Sequence, residues 1–143
     1  RVAEGGAALA RTAQRIEDQS FAEPMVLNNY AWLIATSHRT DAEALDVALR
    51  LARRAVAETG REDPNVLDTL AEVQFVAGDS EAAVDTIEEA IALSPDEPYF
   101  QEQRRRFLGE RAADDRPEPP EEDALPEPGR RGPREDPSDG VTA

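Results

Sequence analysis

The chain has 143 residues, a length suited to one domain with or without a tail, and its 31 acids against 16 bases give a formal net charge of −15. Every base is an arginine, cysteine is absent and histidine occurs once, which excludes a disulfide framework, Cys/His zinc sites and a cysteine nucleophile. The acidic balance argues against nucleic acid as a partner. No apolar run approaches the ~18–20 residues that span a bilayer, and no secretory signal is recognisable, so neither membrane insertion of this segment nor a targeting peptide is expected. The first residue is Arg1 rather than Met, as in a piece excised from a longer protein. Nothing in the composition selects a compartment; cytoplasm and periplasm both suit it.

Apolar residues recur at a spacing near 3.6, strand patterns are nearly absent, and the expected class is all-α. Residues 1–20 open with Ala7, Ala10, Ala13 and Ile16 at helical spacing, predicting a helix over about 5–18, with Gly5 and Gly6 weakening its start. Pro24 suits the first turn of a second helix, about 24–36. Thr40 and Glu43 have capping-box spacing, so a third helix is expected to start near Asp41 and to run to about 59, where Gly60 ends it. Asp63 followed by Pro64 reads as a cap and first turn for a helix over about 64–77, with Gly78 at its end. Asp79 or Ser80 caps a fifth helix, about 80–93. Ser94, Pro95 and Glu97 repeat the start signal for a closing helix over about 96–110. The links are about two to six residues long, which makes neighbouring helices antiparallel hairpins.

In the closing helix, Phe100, Phe107 and Leu108 are expected to cover the last hairpin, while Glu102, Gln103, Arg104 and Arg105 face water. The run Arg104-Arg105-Arg106 needs no anion ligand. Cations favour the C-terminal half of a helix, and Glu102 and Glu110 are near at hand.

Residues 113–143 differ in kind. They hold seven of the eleven prolines and carry ten acids against four arginines. So little apolar surface cannot offset an ordering entropy of roughly 1–2 kcal/mol per residue, and the stretch is expected to be a disordered acidic tail. Pro117-Glu118-Pro119-Pro120 fits a Pro-x-x-Pro pattern but is read as a spacer. The domain is thus placed at 21–112, preceded by a partial upstream helix in 1–20.

The chain also repeats itself. Ala48, Leu49, Ala52, Ala55 and Val56 correspond to Ala83, Val84, Ile87, Ala90 and Ile91 at an offset of 35. Tyr30, Ala31 and Leu33 correspond to Leu70, Ala71 and Val73 at an offset of 40. Two helical hairpins, about 24–63 and 64–97, explain both offsets if the first carries about five extra residues around Ser37 to Asp41. Small residues at 31, 48, 71 and 83 permit close helix crossings. Each hairpin then has an apolar stripe that only stacking covers. An N-terminal face left partly apolar is expected.

The unit from Pro64 to Glu97 resembles a tetratricopeptide repeat. It has Leu70-Ala71 in its first helix, Gly78-Asp79 at the turn, Ala83, Ile87 and Ala90 in its second helix and Pro95 after it. Asn28 to Thr36 resembles the first helix of a bacterial version with a long internal loop. Two departures are Gln74, with Phe75 beside it, at the tyrosine-type position, and Gly60 in place of proline at the end of the first unit. Coverage is about 24–97, with 96–110 as a capping helix. The resemblance implies a short α-solenoid whose first helices line a concave groove for a peptide or partner helix. It places Asn28, Asn29, Trp32, Asp68, Glu72 and Phe75 on that groove, continued by Arg106. Asn29 would pair with a ligand backbone through its amide, and Trp32 and Phe75 would anchor apolar groups. With no lysine present and with Asp68 and Glu72 in the groove, a terminal carboxylate is disfavoured; a neutral or basic partner segment is expected.

Catalytic chemistry is not expected. His38 is the sole imidazole, in a loop beside Asp41, without the orienting partner and pocket that a general base needs. No nucleophile elbow, phosphate-cradling glycine loop or zinc-protease motif occurs. Glu88-Glu89 point different ways on a helix, and Glu121-Glu122-Asp123 lacks the turn of a calcium loop. No cofactor or metal is expected. The expected function is protein–protein contact. The alternative is an accessory helical module that positions or oligomerises a larger enzyme or membrane protein lying upstream.

Overall fold

A computed structural model describes residues 2–19 and 22–119, with side chains from residue 8 onward. Among these residues are six helices: α1 (Val2–Glu17), α2 (Pro24–Thr36), α3 (Ala42–Glu58), α4 (Pro64–Val76), α5 (Ser80–Leu93) and α6 (Pro98–Phe107). No strand occurs among the described residues, and the class is all-α. The part of the expected tail beyond 119 lies outside the described residues.

Local chemistry sets the helix limits. α2, α4 and α6 each begin on a proline, Pro24, Pro64 and Pro98, where the missing N–H would have had no helical partner. Carboxylates cap four helices. Asp41 accepts from Ala44 N (2.8 Å), Asp63 from Asn65 N (3.0 Å), Asp79 from Ala82 N (3.1 Å) and Glu97 from Tyr99 N (3.1 Å). Thr40 therefore does not take the capping role expected of it. Asp41 stands next to the first helical residue and reaches the free amide, whereas the Thr40 hydroxyl is buried with no hydrogen-bond partner among the described residues. The closing helix likewise spans 98–107 rather than 96–110, because Pro98, not Pro95, occupies the first turn. α1 runs through Gly5 and Gly6 from Val2; two glycines weaken a helix by about 1 kcal/mol each without breaking it.

Two helix ends need glycine. Gly60 and Gly78 take φ +64° and +94°. The next amides, Arg61 N and Asp79 N, reach back to Val56 O (3.0 Å) and Gln74 O (2.9 Å), closing α3 and α4 with left-handed caps.

Each helix from α2 onward packs against the next, and α1 and α2 also touch. In addition α1 lies on α3, and α2 lies on α4. Ala31, Ala48, Ala71 and Ala83 are all completely buried, as expected of small residues where helix axes approach closely. Leu27, Ile34, Leu51, Leu67, Ile87 and Phe100 fill the space between. α1 contributes Ala10 and Ala13 to this core, with Ile16 packed at its edge. Phe107 is buried, but Leu108 is exposed, because α6 has already ended and the chain turns outward. On α2, Met25, Val26 and Leu33 are exposed, an apolar stripe of the kind expected near the N-terminal end.

The three proline-led helices share one register. Eight residues beyond each opening proline stand Trp32, Glu72 and Arg106. Side chains at these equivalent positions form the site described next.

Candidate functional site

Glu72 lies at the centre of the α2, α4 and α6 row and is completely buried. A buried carboxylate is costly unless charge and hydrogen bonds compensate it. Here α6 supplies most of the compensation. Arg106, itself buried, donates from both terminal nitrogens to the two Glu72 oxygens, at 2.6 and 3.1 Å. This is the two-pronged geometry that favours arginine over lysine. Gln103 Nε2 donates to Glu72 Oε2 at 3.1 Å and to Asp68 Oδ1 at 3.0 Å. The Tyr99 hydroxyl donates to Asp68 Oδ2 at 2.9 Å.

Gln103 thus faces inward, fully buried, not toward water as its polarity led one to expect. It lies four residues after Tyr99 and three before Arg106, so all three point from α6 onto α4. The periodicity was present in the sequence, but a polar stripe reads as a solvated face until its partners on α4 are known.

Burial pushes the Asp68 carboxyl up to about 7, while the bonds from Gln103 and Tyr99 act in the opposite direction. The two arginines of the site serve Glu72 rather than Asp68. The Tyr99 phenol is raised far above its ordinary value, first by burial and then by the neighbouring Asp68 charge.

Beside the carboxylates runs an aromatic flank. The Phe75 and Phe107 ring centroids are 4.9 Å apart, and the Arg106 guanidinium carbon stands 4.7 Å from the Phe75 centroid. Phe75 is half-buried by these contacts.

The chain beyond α6 then folds back across this face. Arg111 binds Asp115 (2.9 and 3.1 Å) and Glu102 (3.0 Å), which tightens the turn. Arg106 Nε donates to Ala113 O at 2.6 Å. Arg116 Nε donates to Glu72 Oε1 at 2.7 Å, and the Arg116 guanidinium carbon lies 5.8 Å from the Trp32 ring centroid. Pro117 is buried. The first residues of the stretch expected to be disordered, 113–119, therefore include a strap fastened to the helices. Local composition cannot reveal this, because the fastening groups are Arg106, Glu72 and Trp32, far away in sequence.

The residues expected to line the groove are placed as follows. Asp68, Glu72 and Arg106 come together and are buried: Arg106 pairs with Glu72, and Asp68 accepts from Tyr99 and Gln103. Trp32 is half-buried at the edge, beneath Arg116. Asn28 is one turn away on α2; it is buried, and its Oδ1 has no hydrogen-bond partner among the described residues. Asn29, the expected backbone reader, is exposed. Tyr99, Gln103, Ala113 and Arg116 belong to the site although the sequence did not single them out for it. Arg104 pairs with Glu88 (3.0 Å) and Arg105 with Glu102 (3.4 Å), so both cations of the run that stay at the surface have carboxylate partners. His38 is exposed in the turn between α2 and α3.

Comparison with protein-family models, with curated proteins and with solved structures gave no match. No helix among the described residues is long and apolar enough to cross a membrane.

Proposed function

We propose that the chain is a non-enzymatic, tetratricopeptide-like repeat module that binds an extended segment of a partner protein on the face formed by α2, α4 and α6. One observation carries this reading: a non-helical piece of polypeptide, the 113–117 strap, already lies against that face, held by side chains from all three helices. The packing of α1 on α3 and of α2 on α4, with Ala31, Ala48, Ala71 and Ala83 all completely buried, supports the repeat architecture. Buried carboxylates at the centre and half-buried aromatics at the edge suit a neutral or basic segment with an apolar contact.

The test is selection of peptides from a random displayed library on the full chain, followed by affinity measurement on the Trp32→Ala variant. Peptides that use this face lose at least about tenfold in affinity on the variant, as expected for an aromatic anchor. Selected peptides that bind Trp32→Ala as well as the parent chain would place the interaction elsewhere.

A second reading, a module that positions or oligomerises a larger protein, draws on the exposed Met25, Val26 and Leu33 of α2. A single helix face of that kind suits packing against another folded element better than an extended peptide.

A further inference from the structure

Resting on that reading, we infer that the mouth between Trp32 and Glu72 takes an arginine presented by an extended segment of a partner protein, and that the chain's own Arg116-Pro117 occupies it in cis. The strap is then a built-in competitor, and the partner is recognised by the same guanidinium chemistry.

Four observations lead there. First, Glu72 already has two hydrogen bonds from Arg106 and one from Gln103 without any help from the strap. The Arg116 guanidinium is an additional, second cation on Oε1, and it occupies lone-pair capacity that the helices leave open. Second, Arg116 sits at the rim: its side chain is 31% exposed whereas Glu72 and Arg106 are 0% and 2% exposed. A guanidinium from outside can approach the same oxygen without opening the helices. Third, the segment carrying Arg116 has no secondary structure. Among the described residues it is attached to the helices only by the Ala113 carbonyl, the Arg116 guanidinium and the packing of Pro117, while Asp115 is tied to Arg111 within the turn. Regions held by so few contacts open at low free energy. Fourth, the geometry at the rim suits a guanidinium. Arg116 meets a buried Glu72 oxygen with a charged donor while its planar group lies over the Trp32 ring, 5.8 Å from the centroid. A planar cation from a partner makes both contacts at once, which a neutral side chain or a lysine does not.

A cis segment acts at an effective concentration on the order of mM, so it weakens a competing peptide without abolishing its binding. Trp32 is the sole tryptophan and reports the contact directly by its fluorescence. The probe is the capped peptide Ala-Ala-Ala-Ala-Arg-Pro-Ala-Pro, the 112–119 sequence with its acids replaced by alanine. Asp114, Asp115 and Glu118 are exposed, and Asp115 bonds Arg111 rather than Glu72. The titration is run on the full chain and on Arg116→Ala. Arg116→Gln serves as a second variant that retains a polar stem, and far-UV helicity is measured for each. The expected result is at least about tenfold tighter binding to both variants than to the parent, and loss of that binding when the peptide arginine is replaced by the neutral isostere citrulline. Equal affinity for parent and variants, no binding to either variant, or undiminished binding of the citrulline peptide would overturn the inference. In those cases, library-selected peptides that still depend on Trp32 would leave the groove reading standing.

Discussion

Arg116 and Glu72, 44 residues apart in the chain, meet with the Arg116 Nε 2.7 Å from a carboxylate oxygen that no solvent reaches. Through this contact a segment that composition marks as unstructured is tied to the middle of the helical face. It also ranks the two arginines of the site, because Arg106 lies wholly inside and Arg116 at the rim.

That ranking gives the first prediction. Arg106→Ala removes the buried partner of Glu72 and is expected to cost about 3–5 kcal/mol of folding stability. Arg116→Ala leaves the Arg106 pair intact and is expected to cost about 1 kcal/mol, nearer the value of a partly exposed pair. Urea unfolding followed by circular dichroism measures both. Equal losses would mean that Glu72 does not distinguish the two cations.

Asp68 makes stability depend on pH. Its carboxyl titrates at about 7 in the folded chain against an ordinary value of 3.8, so the folded state holds the proton more tightly than the unfolded one. The stabilisation from protonated Asp68 is complete below about pH 4. It declines as pH rises toward 7 and is gone above that. At about 1.4 kcal/mol per unit, the change amounts to a few kcal/mol. Asp68→Asn should flatten this component. Parallel stability curves for the two proteins between pH 4.5 and 8 would contradict it.

Tyr99→Phe deletes the hydroxyl that donates to Asp68 at 2.9 Å. A bond that favours the ionised carboxylate is lost, so the Asp68 transition is expected to move to higher pH. Stability at neutral pH falls by about 1–2 kcal/mol. NMR titration of the Asp68 carboxyl carbon reads the shift; an unmoved midpoint would rule out this hydrogen bond as an influence.

The turn before α3 contains two hydroxyl or carboxyl candidates with opposite expected behaviour. Asp41→Ala removes the side chain that accepts from Ala44 N and is expected to cost about 1 kcal/mol. Thr40→Val replaces a buried hydroxyl that has no partner among the described residues, and is expected to be neutral or slightly stabilising. Thermal melts of the two variants settle which residue is the cap.

Close packing of α2 on α4 can be tested at Ala71, which is completely buried. Ala71→Leu has no room for the added carbons and is expected to cost about 1–3 kcal/mol or more, whereas Ala77→Leu, on the exposed end of α4, should change stability little. If both are tolerated alike, the helices do not approach as closely as described.

Most of the helical framework was legible in the sequence. Pro24 and Asp63-Pro64 mark helix starts, and Gly60 and Gly78 mark ends. Asp79 caps the next helix. Each of these signals works over one turn of helix or through a simple hydrophobic repeat, so neighbouring residues alone decide it. The site was legible only in part. Asp68, Glu72 and Arg106 could be put on a common side, but their burial could not be read. Whether a charged side chain is buried depends on partners that arrive from 31 to 44 residues away. Tertiary packing decided that Gln103 turns inward, that Asp68 sits in a site which holds its proton, and that Arg116 crosses back to Glu72 and Trp32. The physical reason is the same in each case: desolvating a polar group is unfavourable alone and becomes favourable only when the fold delivers its complement.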